Sequence, residues 1–121
     1  MKNLKVLKAL AEETRMTILE ILLQKPSCVS QLARTIGLTE ATISQHLKVL
    51  REAGLVRGQK IGYYRHYEVR SSVLIECAQE LQDMAARQGE VYKDCPYVNE
   101  VKQVRKADKE ADHGHGQGQE S

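Results

Sequence analysis

The sequence predicts a mainly α chain with one small β hairpin, and three observations carry that prediction. Apolar residues recur at helical spacing in five separate segments. Two of these segments, one ending at Ile36 and one starting after Thr39, are joined by a short turn containing Gly37, the spacing of a helix-turn-helix. Behind them, Leu55 to Val69 is rich in strand-forming Tyr and Val, holds Gly58 and Gly62, and carries Arg57, Lys60 and Arg65.

Each element follows in order. Leu4, Leu7, Leu10 and Ala11 mark a short first helix. A second, from about Thr14 to Gln24, has Ile18, Leu19 and Leu22 as its stripe. Lys25-Pro26-Ser27 breaks it, because proline disfavours helix at the preceding residue. A third, about Ser30 to Ile36, turns Leu32 and Ile36 inward, and Gly37 ends it. Thr39 supplies an N-cap oxygen for the fourth, which runs to Ala53 with Gly54 as a left-handed stop. The hairpin strands are expected at 55–59 and 63–69, with the turn centred on the stretch from Gly58 to Gly62. Ser71 or Ser72 then caps a last long helix reaching about Gln88. Its stripe of Leu74, Cys77, Leu81 and Met84, with Ala78 and Ala85 alongside, is expected to pack on a second subunit. Packing on its own domain is the alternative. The domain would occupy residues 1–90, followed by a cysteine-containing segment at 91–104 and a disordered polar tail at 105–121.

The fourth helix has two usable faces. Ile43, Leu47 and Leu50 recur at i, i+4 and i+7 and are core-bound. Ala41, Ser44, Gln45 and Lys48 fall together on the opposite side. An ordinary solvated face is dense in Glu and Lys, whereas this one offers small, hydroxyl and amide side chains with one cation. Such a face can enter the major groove, where Gln suits adenine and Ser or Thr suits several bases. An ordinary exposed face explains this helix alone equally well; the basic hairpin behind it favours nucleic acid, with Arg57, Lys60 and Arg65 placed to reach phosphates. Charge is distributed accordingly. Residues 1–70 hold 12 Lys/Arg against 6 Asp/Glu, and residues 71–121 hold 6 against 10, although the whole chain is only +2.

Composition sets further bounds. A chain of 121 residues supports one domain with an appendage. It has no run of 18 apolar residues, and its first residues read as an amphipathic helix, so a soluble cytoplasmic protein is expected. Cys28, Cys77 and Cys95 are too widely spaced for a disulfide framework and are expected as free thiols. Phe and Trp are absent, so the core is aliphatic. No triad, carboxylate pair or phosphate loop appears, which argues against an enzyme.

Helix order plus hairpin is a winged helix, and several linked motifs make the resemblance specific. Leu7-Lys-Ala-Leu-Ala-Glu-Glu-Thr-Arg-Met-Thr-Ile-Leu19, Ser30-Gln-Leu-Ala33, Ser44-Gln-His-Leu-Lys-Val-Leu-Arg-Glu-Ala-Gly-Leu-Val56 and Gly62-Tyr-Tyr-Arg-His-Tyr67 occur in the order seen in the ArsR/SmtB family. The chain resembles those metal- and metalloid-sensing repressors from residue 4 to about 88. The resemblance implies a homodimer joined through the first and last helices, with the two 39–53 helices in successive major grooves of an inverted repeat in double-stranded DNA. By position it makes Ala41, Thr42, Ser44, Gln45 and Lys48 base or groove contacts, and the hairpin tip a minor-groove or phosphate contact. It also makes His46 a DNA contact; the place of His46 on its helix favours a semi-buried hydrogen bond or a phosphate contact over base reading.

The effector is less clearly written. Many family members sense thiophilic metals through a Cys-Val-Cys pair, but here Cys28-Val29-Ser30 keeps only the first thiol. The family's zinc site on the last helix is also missing, since residues 70–88 contain no histidine. Soft ions such as Cd(II) or As(III) want two or three thiolates. Cys28, at the start of the third helix, with Cys95 as partner is therefore the candidate metal clamp or reversible disulfide. Cys77 falls on the apolar stripe and reads as a core residue. His113 and His115 could hold Ni(II) or Cu(II) loosely, with a solvated tail as the alternative. The expectation is a repressor that needs no cofactor and is released by a soft metal or metalloid. Redox or reactive-sulfur sensing, an organic effector and a protein-interaction module are its rivals.

Overall fold

The computed structural model describes residues 1–89 and 96–97. Among them the elements run α1 (Leu4–Leu10), α2 (Glu13–Gln24), β1 (Ser27–Cys28), α3 (Val29–Ile36), α4 (Glu40–Glu52), β2 (Val56–Ile61), β3 (Tyr64–Val69) and α5 (Ser71–Ala86). Residues 1–85 form one compact unit. The second unit begins at Ala86, and its described residues are 86–89 and a turn at Pro96 and Tyr97. The expected segment boundaries at 91–104 and 105–121, together with Cys95, His113 and His115, lie outside the described residues.

Helix boundaries follow local chemistry. Glu12 caps α2 by accepting from the Arg15 amide at 2.7 Å. Thr39 caps α4 by accepting from the Thr42 amide at 3.2 Å. At the other end, Gly54 adopts φ 80°, a left-handed conformation that a side chain disfavours. That residue lets the Gly54 amide reach Arg51 O and the Leu55 amide reach Leu50 O, both at 2.9 Å. Leu55 is thereby delivered into the core at the root of β2. Ile18, Leu32, Ile43, Leu47, Leu50, Leu55 and Val56 are fully buried there. Burying each contributes about 1.5–3 kcal/mol relative to exposure.

The sheet departs from the expected hairpin in two respects. It has three antiparallel strands in the order β1-β3-β2, because Ser27 and Cys28 pair with Tyr67 and His66. A two-residue strand has no period to read, so Lys25-Pro26-Ser27 shows in sequence only as a helix breaker. The turn also lies further along than expected. Ile61 pairs with Tyr64, leaving Gly62 and Tyr63 as the turn, while Gly58 stays in the ladder opposite Tyr67.

The apolar stripe of α5 is divided along its length. Cys77 is buried, and Val73 and Leu74 pack against the same core, so the first half belongs to its own domain. Leu81 and Met84 in the second half are exposed, as is Ile75, which is not part of that stripe. No helix among the described residues is long and apolar enough to cross a membrane.

Candidate nucleic-acid interface

On α4 the two expected faces separate. Ile43, Leu47 and Leu50 are buried, whereas Ala41, Thr42, Ser44, Gln45 and Lys48 are exposed. Among the described residues, no hydrogen bond or ion pair holds the side chains of Ser44, Gln45 or Lys48. Thr42 instead accepts from the Thr39 hydroxyl at 2.9 Å, which fixes it within the N-cap. The first turn is also tied back to α3, where the Ser30 hydroxyl donates to Glu40 at 2.9 Å. The result is a rigid helix start with free amide, hydroxyl and ammonium groups beyond it.

His46 sits at the edge of that face with only 20% of its side chain exposed. Its Nδ1 lies 3.4 Å from Arg15 Nη1 and 3.8 Å from Glu12 Oε1. Arg15 is itself anchored, donating from Nε to Ala9 O at 2.7 Å. The ring therefore stands between the end of α1 and the start of α2. Sequence reasoning missed Glu12 and Arg15 here. Their signal was local, an acid three residues ahead of a base at a helix start, but nothing in the spacing pointed either of them at α4.

The hairpin, or wing, is electrostatically graded. Arg57 Nε donates to Glu68 Oε2 at 2.6 Å, so this cation is already paired across the strands. Of the three expected phosphate contacts it is the one held in place by a carboxylate. Lys60 and Arg65 are direct cross-strand partners near the tip, and neither has an ion-pair partner among the described residues. Gly58 permits this arrangement: a Cβ there would lie 2.8 Å from Arg65 Cδ and 3.0 Å from Tyr67 Cε1. Its missing side chain is the space in which the Arg65 stem lies. At the turn, Tyr63 is 97% exposed beside exposed Ile61 and Tyr64, a feature the sequence reading passed over.

The two described cysteines are free thiols and both are buried. Cys28 also has a structural task. It is the N-cap residue of α3, and its backbone amide donates to Gln31 Oε1 at 3.1 Å. Because it also pairs with His66, one residue joins the wing sheet to the helix-turn-helix. No group of three or more His, Cys, Asp or Glu that could hold a metal occurs among the described residues.

Comparison with known proteins agrees with this geometry. Residues 12–57 match the model of the bacterial regulatory protein, arsR family. A putative arsenical resistance operon repressor, ArsR2 of Halobacterium salinarum, is 34% identical over 84 residues, covering 66% of this chain and 71% of that protein. An ArsR-like transcriptional regulator from Rhodococcus sp. RHA1 superposes with a TM-score of 0.66 at 31% identity, covering 69% of this chain and 79% of that one. The homodimeric winged helix-turn-helix DNA-binding domain of Mb0332 from Mycobacterium bovis gives 0.56 at 29% identity, with 71% and 82% covered.

Proposed function

The chain belongs to the ArsR family of bacterial regulatory proteins, and from that premise we propose that it is a homodimeric repressor. It reads an inverted-repeat operator and is released by a thiol-directed signal acting through Cys28. One observation carries the DNA half of this reading. The exposed side of α4 offers unengaged Ser44, Gln45 and Lys48, next to a wing whose distal cations Lys60 and Arg65 lack carboxylate partners among the described residues. Uncharged donors and acceptors suit base edges, and unpaired cations suit phosphates. The homodimer is supported by the exposed apolar half of α5 and by the homodimeric relative.

The effector half rests on Cys28, which is the N-cap residue of the first helix of the helix-turn-helix and whose backbone pairs with the wing. Chemistry at that sulfur changes the support of both DNA-contacting parts. For As(III) or Cd(II), which need more than one thiolate, Cys95 is the second ligand we propose.

The test is selection of duplexes from a random pool with the full chain, followed by release. The expected product is an inverted repeat with half-sites about 10 bp apart, centre to centre. As(III), Cd(II) or a persulfide donor should then lower the anisotropy of the complex, and Cys28→Ser should abolish that response. Failure to enrich any duplex overturns the DNA reading. A normal response in Cys28→Ser overturns the thiol reading.

A further inference from the structure

We propose that the wing tip is an apolar wedge, with Tyr63 at its point, that enters the minor groove beside each half-site and opens one base step there. The proposal rests on the reading of the chain as an operator-binding dimer. It adds a contact of a different kind from the phosphate contacts of Lys60 and Arg65, one that bends the duplex and reads its flexibility.

Apolar residues scattered singly over a surface need no explanation, whereas a contiguous exposed group marks an interaction site. Ile61, Tyr63 and Tyr64 form such a group around the turn, all exposed, with Tyr63 at 97%. No hydrogen bond among the described residues holds the hydroxyl of Tyr63 or Tyr64. The other end of the ribbon is rooted, since Val56 and Tyr67 are buried in the core.

The register sorts the tip into faces. Lys60 and Arg65 are cross-strand partners and share one face of the ribbon, and Ile61 and Tyr64, the next pair, share the other. A Cβ at Gly58 would lie 2.8 Å from Arg65 Cδ and 3.0 Å from Tyr67 Cε1, so the Arg65 stem lies on the Gly58–Tyr67 face, as the alternation requires. Gly62 and Tyr63 make the turn, with Gly62 at φ 65°, the left-handed first position of a tight primed hairpin turn. The ribbon therefore ends in an aromatic side chain, with cations on one face and apolar side chains on the other.

Charge and shape choose the occupant. Two cations without carboxylate partners call for an anionic surface, and a second copy of the tip would repel this one. The minor groove is about 6 Å wide, enough for a ring but not for a helix. Its walls are deoxyribose and its rims are phosphate, so Ile61 and Tyr64 suit the sugars of one strand, while Lys60 and Arg65 suit the phosphates of the other. Tyr63 then reaches the stacked bases at the floor. Apolar side chains inserted in this way partly unstack a base step and kink the duplex by about 20–90°. Opening costs least at flexible pyrimidine–purine steps such as TA and CA. The wedge thus gives sequence preference at a place where no base is hydrogen-bonded.

The test uses the full chain and the operator enriched from the random pool. The chain has no tryptophan, so Tyr63→Trp puts a single indole at the tip. Its emission should be quenched on the operator by stacking against bases, and 2-aminopurine at the flanking step should brighten with the unsubstituted protein. Energy transfer between the duplex ends should report a bend that Tyr63→Phe keeps and Tyr63→Ala removes. Replacing the flexible flanking step by a stiff A-tract should weaken the unsubstituted protein about tenfold and leave Tyr63→Ala nearly unaffected. Tyr63→Ala should retain the salt dependence set by Lys60 and Arg65. A flank that stays stacked and straight, or a bend that Tyr63→Ala keeps in full, overturns the wedge and leaves base reading by α4 standing. Failure to enrich any duplex overturns the DNA reading beneath it. A blue shift of the Tyr63→Trp emission without DNA, on raising protein concentration or adding anionic phospholipid vesicles, gives the tip to a second copy or a membrane and overturns the proposal.

Discussion

Lys60 and Arg65 face each other directly across β2 and β3, two like charges on neighbouring strands near the tip of the wing. Like charges so placed repel and weaken the pair. Nearer the core, the Arg57–Glu68 row is an opposite-charge pair instead. The wing is therefore balanced at its base and cationic at its tip, and a phosphate between Lys60 and Arg65 would relieve the repulsion.

Lys60→Ala should accordingly weaken operator and random duplexes alike, flattening the dependence of log affinity on log salt by about one unit of slope. Gln45→Ala should act differently, costing roughly 1–3 kcal/mol of discrimination at one half-site position. Fluorescence anisotropy across a salt series, on both duplexes, separates the two. Equal losses on operator and random DNA from Gln45→Ala would remove Gln45 from base reading.

Gly58 prepares the same tip from the other strand. Adding a Cβ puts carbon 2.8 Å from Arg65 Cδ and 3.0 Å from the Tyr67 ring, and Tyr67 is buried. Gly58→Ala should therefore destabilise the protein by about 1–3 kcal/mol, the range for overpacking, and displace the Arg65 stem. Denaturant unfolding and anisotropy together test this, and an unaltered midpoint with unaltered DNA affinity would contradict it.

Periodic and punctuated features were legible in the sequence, and features decided by a distant partner were not. Ile43, Leu47 and Leu50 announced their burial by spacing, and Thr39 and Gly54 announced the ends of α4 by chemistry. Cys28 shows the limit. Its place at a helix start was readable, but its pairing with His66 depends on β3, nearly forty residues later. The stripe of α5 was readable as apolar, while its division at Leu81 depends on where the core beneath it ends. Arg57 looked equivalent to Lys60 until the register placed Glu68 opposite it.

Glu80 latches the chain start to α5. It accepts from the Lys2 amide at 2.6 Å, the Asn3 side chain at 2.8 Å and the Asn3 amide at 2.9 Å. Desolvation pushes its carboxyl up, but these hydrogen bonds and the positive N-terminus outweigh that and hold it below the usual carboxylate value. A carboxyl lowered on folding contributes stability that is complete above its unfolded pKa and lost as pH falls through the folded one. Glu80→Gln should therefore lower Tm at neutral pH, with the gap closing in acid. Melting both proteins from about pH 7 to about pH 3 checks this, and a gap independent of pH would rule out an ionic latch.

Leu81 is 42% exposed in the single chain, midway along the uncovered half of α5. Burying an unpaired aspartate there against a second copy would cost several kcal/mol, whereas in the lone chain the same group would reach water. Leu81→Asp should thus leave the unit of residues 1–85 folded but monomeric and without cooperative operator binding. Size exclusion with light scattering decides it. A variant that remains fully dimeric sinks the assignment of this face to the second copy.

The three cysteines should separate by place. Cys77 is 3% exposed within the core cluster, so Cys77→Ser should preserve release from DNA and at most lower stability. Cys28 caps α3 and anchors β1, so a ligand on its sulfur bears on the helix-turn-helix and the wing together. Serine is a good N-cap and keeps the helix start satisfied while removing the soft ligand. Loss of response in Cys28→Ser would therefore report lost chemistry rather than a lost cap. A shift of about 1.4 kcal/mol between two states of the dimer already changes operator affinity tenfold. Cys28→Ser should accordingly abolish release by As(III), Cd(II) and a persulfide donor, and Cys95→Ser should abolish it for those signals that need a second thiol. Anisotropy release assays on the operator complex of each variant give the answer. If the Cys28→Ser, Cys95→Ser double variant still releases normally, the thiols are bystanders and an organic effector between subunits takes their place.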